Sequence, residues 1–525
     1  MLGKVDGLSG LTIGEILRNH ALNYPRHMAV VDLDNNLRYT YSELNNRVNR
    51  LANALLKIGI TKGDRVAILM KDSLEPLELM YALNKIGGVW APINYRFTPQ
   101  EIKRQVIHSN ASVLCFDESF VEAIDEIRGS LGDLKNYVVL GEKMRREYDF
   151  YDSLLDGSSE EEPEVKEPIS SEDIIGMVYT SGTTGVAKGA MHSHRTFLGW
   201  AFCAMYENAT NRNDRVLNPY PMFHMGGSVL STVCLFSGAT NYIFGKFEAT
   251  KFVKAVEDEK ITVIWAIPTI VSGVNNLPKN IKDKYKWASV RSFTTSGAPF
   301  LTKTQNEFRN QWPHIKMHST YSATEAYFTN LRPEDQDRKT RCVGPAVFGN
   351  EIKLMDEGGN DIAKGEVGIV YVQGISVFKG YYKNQEAEKK SFRQDWFTCE
   401  DMGYLDEEGY LHLVDRAKDM IISGGENVAS VEVENMLLEH PGVRECAVVG
   451  VPDEQWGERI HAVVSTYADS ASSPDEILEW CKGRIAGYKR PRSISVMPDL
   501  PKSPVGKILK RELRDEFWKG QKVKV

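Results

Sequence analysis

The chain has 525 residues, 42% hydrophobic and 26% charged, and 71 acidic against 64 basic side chains give a formal net charge of −7. At roughly 150 residues per domain this length predicts about three structural units with the composition of a soluble globular protein. The acidic balance argues against a nucleic-acid binder, and no uninterrupted apolar run approaches the ~18 residues of a membrane span.

The start, Met1-Leu2-Gly3-Lys4-Val5-Asp6, has no apolar leader segment. Seven cysteines (Cys115, Cys203, Cys234, Cys342, Cys399, Cys446, Cys481) are scattered and never form a Cys-x-x-Cys pair. Reduced thiols are expected, and a zinc site is not. The last residues, Lys522-Val523-Lys524-Val525, are not a peroxisomal address, so a cytoplasmic protein is expected.

Thr40 stands three residues before Glu43, a capping-box spacing, and Leu44, Val48, Leu51, Leu55 and Ile58 recur at helical intervals up to Gly59. A buried strand follows over Arg65-Val66-Ala67-Ile68-Leu69-Met70, then a helix from Glu75 to Lys85 and a glycine pair at Gly87-Gly88. This alternation predicts an α/β region with a mainly parallel sheet, read as scaffold. Ser158-Ser159-Glu160-Glu161-Glu162-Pro163-Glu164 is acidic and reads as a solvated surface loop.

The apolar run Ile174-Ile175-Gly176-Met177-Val178 leads into Tyr179-Thr180-Ser181-Gly182-Thr183-Thr184-Gly185-Val186-Ala187-Lys188-Gly189. Its glycines let backbone N–H groups converge on one concavity, and Ser181, Thr183, Thr184 and Lys188 add donors and a positive charge. A Walker loop ends in Gly-Lys-Ser/Thr, whereas here the lysine precedes a glycine. The segment resembles the phosphate loop of the adenylate-forming enzymes, the superfamily of acyl-CoA synthetases, luciferases and peptide-synthetase adenylation domains. His192 and His194 lie two apart, as strand-borne metal ligands do, but no acidic or cysteine partner is near in sequence, and a structural role is expected.

Asn218-Pro219-Tyr220-Pro221-Met222-Phe223-His224-Met225-Gly226-Gly227 resembles the superfamily's Pro-x-Phe-His segment, whose ring borders the acyl pocket. Amino-acid-activating members carry an aspartate directly after the phenylalanine to pair the substrate ammonium. His224 stands there instead, so an uncharged acyl tail is expected. Thr262 to Thr269 reads as a buried strand closed by Pro268, and Val290 to Ser296 as a strand leading into Gly297-Ala298-Pro299. By resemblance Gly297 lets the adenine approach the strand end.

Ser319-Thr320-Tyr321-Ser322-Ala323-Thr324-Glu325 resembles the family's Gly-Tyr-Gly-x-Thr-Glu, in which the tyrosine stacks on adenine, the threonine bonds the α-phosphate and the glutamate holds Mg²⁺. Thr320 and Ser322 replace glycines of many members and should narrow the acyl pocket. Gly365 to Val372 reads as a turn into a strand of a β-rich subdomain. Asp395-Trp396-Phe397-Thr398-Cys399-Glu400-Asp401-Met402-Gly403 resembles the family's Trp-Phe...Thr-Gly-Asp segment, with Asp401 on the ribose hydroxyls and Cys399 and Glu400 departing from the pattern. Asp415-Arg416-Ala417-Lys418-Asp419-Met420-Ile421 reads as an exposed link, by resemblance the hinge at Lys418, with Arg416 reaching ribose and phosphate. Ser423, Gly424 and Gly425 would line the pantetheine channel. In Leu500-Pro501-Lys502-Ser503-Pro504-Val505-Gly506-Lys507, the match to Pro-x-x-x-x-Gly-Lys puts Lys507 on the catalytic lysine.

The resemblance runs through nearly the whole chain. It implies a large α/β amino-terminal domain with a β-rich subdomain over residues 1–415, and a small mobile α+β carboxyl-terminal domain over 416–525. The implied catalytic residues are Lys507, His224, Thr324 and Glu325. ATP and AMP would meet Thr180, Ser181, Gly182, Thr183, Thr184, Lys188, Gly297, Ala298, Pro299, Ser319, Thr320, Tyr321, Thr324, Asp401, Arg416 and Lys507. The acyl group would lie against His224, Met225, Gly226, Gly227, Ser296, Ser322 and Ala323, and coenzyme A near Ser423, Gly424, Gly425, Lys246, Lys489 and Arg490.

The implied reaction is adenylation of a carboxylic acid by ATP with Mg²⁺, followed by transfer to coenzyme A, with a fatty acid of medium or longer chain as the leading substrate. An aryl acid and a carrier-protein thiol are the alternatives. A homodimer is left open.

Overall fold

The computed structural model describes residues 10–132, 134–141, 148–180, 188–297, 302–339, 342–416, 419–423, 426–453, 456–467, 470, 472–503 and 506–519. The chain divides into two compact units. The first is Met1–Arg338 with Ala346–Glu351 and Val372–Asp395, and the second is Lys339–Pro345 with Ile352–Tyr371 and Trp396–Val525.

Two eight-stranded sheets frame the first unit. In one, Lys316–Ser322, Ser292–Thr295, Val263–Ala266, Arg215–Asn218, Thr240–Ile243 and Met28–Asp32 run parallel side by side, and Tyr327–Leu331 and Leu37–Thr40 close its two edges antiparallel. In the other, Ile174–Thr180 lies between the parallel strand Val89–Pro92 and the antiparallel strand Lys188–Ser193, with Gly380–Tyr381 beyond. One core joins residues of both sheets to the helices Tyr41–Lys57, Leu74–Ile86, His194–Asn208 and Met225–Ser237. The parallel strands Val89–Pro92, Thr240–Ile243, Val263–Ala266 and Ser292–Thr295 are buried on both faces, as parallel strands covered on both sides must be.

Thr40 and Glu43 do form the expected capping box, the Glu43 N–H donating to the Thr40 hydroxyl at 3.3 Å and the Thr40 N–H to the Glu43 carboxylate at 2.8 Å. Pro268 corrects the reading of its segment. The strand ends at Ala266, and Pro268 opens the helix Pro268–Asn275, where a missing N–H costs nothing. The acidic stretch 158–164 is likewise not a freely solvated loop. The Lys85 ammonium, 7% exposed, is held by Glu162 at 2.6 Å and by the Asn45 and Asn49 side chains at 2.7 and 2.8 Å. A buried ammonium needs a countercharge, and the loop is drawn onto the helix Tyr41–Lys57 to supply it.

In the second unit, Asp401–Leu405 pairs antiparallel with Leu411–Arg416 and, on its other side, with Gly368 and Ile369. A further sheet pairs Val443–Asp453 with Gly457–Thr466, which also takes Ser493–Val496 in parallel and Ile421–Ser423 antiparallel. The helices Ser430–Leu437, Pro474–Trp480 and Lys510–Trp518 complete this α+β arrangement. All seven cysteines carry free thiols. No helix among the described residues is long and apolar enough to cross a membrane.

Candidate active site

The strand Ile174–Thr180 pairs with Lys188–Ser193 in a register that sets Thr180 opposite Lys188. The two ends of the proposed phosphate loop therefore meet across one ladder. Ser181, Gly182, Thr183 and Thr184 lie outside the described residues. The Lys188 ammonium sits 5.0 Å from the centre of the Tyr381 ring. Tyr381 lies one strand further along the same sheet, and its hydroxyl donates to the Glu325 carboxylate at 2.7 Å. A cation and a carboxylate far apart in sequence are thus gathered around one phenol.

Thr324 and Glu325 form a tight turn between Lys316–Ser322 and Tyr327–Leu331, closed by the Ala323 N–H on the Ala326 carbonyl at 2.9 Å. The Glu325 carbonyl accepts from the Phe378 N–H at 2.8 Å. The Thr324 carbonyl accepts from His192 Nε2 at 2.9 Å. Burial pushes the His192 imidazole down to about 4, so near pH 7 it is neutral and carries its single hydrogen on Nε2, since a carbonyl only accepts. His194 accepts the Ile13 N–H on Nδ1 at 3.2 Å. Both histidines have the structural employment expected of them.

Gly297 ends the strand Ser292–Thr295 with a φ of +88°, while a Cβ there would meet only Ile267 at an ordinary 3.6 Å. The left-handed backbone, rather than crowding, is what calls for glycine. Ala298 and Pro299 lie outside the described residues. On the neighbouring strand Ser319 pairs with Leu331, and the Tyr321 ring packs 4.5 Å from Phe328. The Thr320 hydroxyl donates to the Thr295 carbonyl at 3.2 Å, and the Ser296 and Ser322 hydroxyls lie 3.0 Å apart. The side chains that replace glycine at 320 and 322 thus fasten two strand ends together.

His224 is the N-cap of the helix Met225–Ser237, its Nδ1 accepting from the Gly226 N–H at 3.1 Å. Burial pushes this imidazole down to about 4, so it is neutral. Met225 is buried, and a Cβ on Gly227 would stand 2.4 Å from the Pro221 carbonyl oxygen, a contact that only glycine avoids. The turn ahead of His224 is held by a residue that sequence reasoning missed. Asp72 accepts the Met222 N–H at 2.7 Å on one oxygen and the Tyr95 hydroxyl at 2.7 Å on the other, while Tyr95 meets Phe223 edge-on at 5.1 Å. No spacing signal joins residues so distant in sequence.

In the second unit Asp401 opens the strand Asp401–Leu405, is 7% exposed, and pairs in register with Arg416. Glu400, where the superfamily has glycine, takes a φ of +64°. The Arg416 side chain, Lys418, Gly424 and Gly425 lie outside the described residues. Asp415 is buried and accepts the Ser430 N–H and hydroxyl at 2.5 and 2.6 Å, so this end of the segment is not the exposed link expected of it. Ser423 pairs with Gly457. Lys489 is bonded to both Glu432 oxygens at 2.8 Å, Arg490 is half-buried nearby in sequence, and Lys507 is exposed. Lys246, in the first unit, is exposed.

Residues 17–382 match the AMP-binding enzyme family and residues 432–507 the AMP-binding enzyme C-terminal domain. The chain belongs to this adenylate-forming superfamily. Within it, it is an AMP-forming acid–thiol ligase, for which ATP and coenzyme A are substrates. The chain is similar to a long-chain-fatty-acid–CoA ligase of Mycobacterium tuberculosis, 33% identical over 96% of this chain and 98% of that one. A feruloyl-CoA synthase of an Amycolatopsis species is 34% identical over 91% of this chain and 94% of the relative. Among solved structures, ATP-bound MatB from Rhodopseudomonas palustris superposes with a TM-score of 0.88 at 30% identity, over 97% of this chain and 99% of that chain.

The superfamily uses Mg²⁺ with its ATP, and the donor chemistry fits. Among the described residues no group of three or more His, Cys, Asp or Glu side chains could cage a metal. Glu325 carries a hard carboxylate oxygen, the kind of donor that an ion arriving on nucleotide phosphates with most of its water would take.

Proposed function

We propose that the enzyme activates a fatty acid of medium or long chain as its acyl-adenylate and passes the acyl group to coenzyme A. The observation that carries the reading is the gathering of Lys188 and Glu325 around Tyr381, at the end of the strand pair that opens and closes the phosphate loop. In the first half-reaction the carboxylate oxygen attacks the α-phosphorus of ATP, the bond to the bridging oxygen breaks, and pyrophosphate leaves. Two anions must meet, so positive charge at their point of contact lowers the barrier most.

Lys507 is the proposed bridge between carboxylate and α-phosphate. Thr180, Ser181, Gly182, Thr183, Thr184 and Lys188 hold the leaving pyrophosphate. Gly297, Ala298, Pro299, Ser319, Thr320 and Tyr321 take the adenine, and Asp401 and Arg416 the ribose. Glu325 would hold Mg²⁺, which draws negative charge from the phosphate oxygens. The acyl-adenylate is a mixed anhydride, so its site must exclude water until the thiol arrives. Residues 1–415 then form the nucleotide- and acyl-binding domain, and residues 416–525 turn about Lys418 to bring Ser423, Gly424 and Gly425 to the pantetheine arm. The thiolate attacks the acyl carbon, and AMP leaves. The free thiols and acidic charge suit a cytoplasmic enzyme.

The neutral His224 supports an uncharged tail, because it offers no countercharge to a substrate ammonium. The hydroxyl pair Ser296 and Ser322 narrows the strand ends and favours a thin unbranched chain. A flat aryl acid is the second reading, favoured by the 34% identity to the feruloyl-CoA synthase. The purified enzyme is offered ATP, coenzyme A and a panel of octanoate, dodecanoate, palmitate, benzoate, ferulate and phenylalanine, and AMP is followed. The proposal expects the alkyl acids to lead. Preference for ferulate or benzoate would move the assignment to aryl acids, and turnover of phenylalanine would overturn the account of His224.

A further inference from the structure

The stretch that carries Lys507 is a short hairpin with an ion pair at each foot. Lys502 and Ile508 form an antiparallel bridge, and the Leu509 N–H donates to the Pro501 carbonyl at 2.9 Å. Within it the Ser503 N–H donates to the Lys507 carbonyl at 2.7 Å, and the Lys507 N–H returns to the Ser503 hydroxyl at 3.1 Å. At the first foot Lys502 pairs with Glu445 at 2.5 Å. At the second, Lys510 opens the helix Lys510–Trp518, pairs with Glu434 at 2.7 Å, and donates to the Ser430 hydroxyl at 2.6 Å.

Exposed ion pairs contribute little, but the Lys510 and Glu434 side chains are only 18% and 12% exposed. Glu434 also accepts the Val448 N–H at 2.7 Å. Ser430 accepts from Lys510 and passes its own hydroxyl hydrogen to Asp415, three residues before Lys418. Burial disfavours an ammonium here, yet Glu434 and Asp415 hold Lys510 above the usual lysine range. The charge is retained at a node joining the lysine hairpin, the helix Ser430–Leu437 and the strand Leu411–Arg416.

We propose that Lys510 is a positioning residue for Lys507, and that through Ser430 and Asp415 it ties the lysine hairpin to the strand entering the hinge. The proposal rests on the roles given above to Lys507 and Lys418. With the hinge at Lys418, Asp415 stands on one side of it and Ser430 and Lys510 on the other. The proposal assigns the Ser430–Asp415 bonds, which span that hinge in sequence, to the conformation that adenylates.

The test uses the full-length enzyme, the best acid of the panel and its synthetic adenylate. Lys510→Gln and Ser430→Ala are compared with wild type and Lys507→Ala for acid-dependent pyrophosphate release, for thioester formation from supplied adenylate, and for the thermal midpoint. Lys510→Gln is expected to slow adenylation by about 10²-fold, the cost of a misplaced catalytic group. Ser430→Ala is expected to slow it about tenfold, the loss of one bond to a charged group. Thioester formation should stay within about threefold of wild type in both, because an interaction made only in adenylation is lost. Parallel loss of both half-reactions with a fallen thermal midpoint overturns the proposal, as does wild-type adenylation in either variant. If Lys507→Ala separates the half-reactions and Lys510→Gln does not, only the role of Lys510 is lost. If Lys507→Ala fails to separate them, the assignment of Lys507 falls and this proposal falls with it.

Discussion

The Tyr381 hydroxyl donates to the Glu325 carboxylate at 2.7 Å, and the same ring lies 5.0 Å from the Lys188 ammonium. Neither relation is local in sequence. Both arise because Gly380–Tyr381 adds to the sheet edge beside Lys188–Ser193, with Tyr381 opposite Ala190. Tyr381→Phe removes the bond and keeps the ring. Losing a hydrogen bond to a charged group costs about 1.5 to 3 kcal/mol, so kcat/KM for ATP should fall at least tenfold. The KM for the acid should hold. Steady-state kinetics with each substrate varied in turn checks this, and an effect confined to the acid would place Tyr381 elsewhere.

Asp72 holds the turn ahead of His224 through the Met222 N–H and the Tyr95 hydroxyl. Asp72→Asn keeps an uncharged oxygen to accept the Met222 N–H, but sets an amide nitrogen, which can only donate, where the Tyr95 hydroxyl now donates. The KM for the acid should rise about fivefold to tenfold, as expected for the loss of charge assistance, with the KM for ATP within a factor of two. Tyr95→Phe should shift it in the same direction. A change in the KM for ATP alone would show that this turn does not border the acyl group.

Glu400 holds a left-handed backbone at φ +64°. That conformation costs an ordinary residue about 1 to 2 kcal/mol, part of which glycine returns as entropy of the unfolded chain. Glu400→Gly should therefore raise the unfolding free energy of its unit by about 0.5 to 1 kcal/mol, read from denaturant midpoints, without changing the KM for ATP. A destabilised variant would mean that the Glu400 side chain makes contacts worth more than the strain.

His194 is fully buried and its imidazole is pushed by burial to about 4, below the unfolded value of 6.5. Between these values the unfolded chain binds a proton that the folded chain refuses. Stability contributed by this group is therefore complete above pH 6.5 and falls as the pH drops toward 4. His194→Asn offers the Ile13 N–H an amide oxygen in place of Nδ1 and removes the titration. Its stability profile across that window should be shallower than wild type by about 1.4 kcal/mol per pH unit. Identical slopes would mean that His194 is not neutral in the folded protein.

The elements with local causes were legible in the residues. Thr40 and Glu43 cap a helix because capping needs two side chains three positions apart, and the strand ahead of the phosphate loop follows from an unbroken apolar run. Gly227 was named for the acyl pocket, and the structure gives it a backbone reason as well, the Pro221 carbonyl at 2.4 Å from where a Cβ would stand. What was not legible depends on contacts between distant segments. Glu162 looked like a solvated charge because its partner, Lys85, is 77 residues away. Tyr381 carries no motif and reaches Glu325 across 56 residues only once the sheet edge has formed. Asp415 read as part of an exposed link for the same reason, since Ser430 meets it from the start of the helix Ser430–Leu437.

The central claim is that acid and ATP react before coenzyme A takes part. It is tested most directly by mixing stoichiometric enzyme with ATP and the preferred acid in the absence of coenzyme A and following pyrophosphate. The account predicts a burst of about one pyrophosphate per site, an adenylate retained on the protein, and its conversion to thioester and AMP when coenzyme A is added. Pyrophosphate that appears only once coenzyme A is present, or ADP in place of AMP, would contradict it.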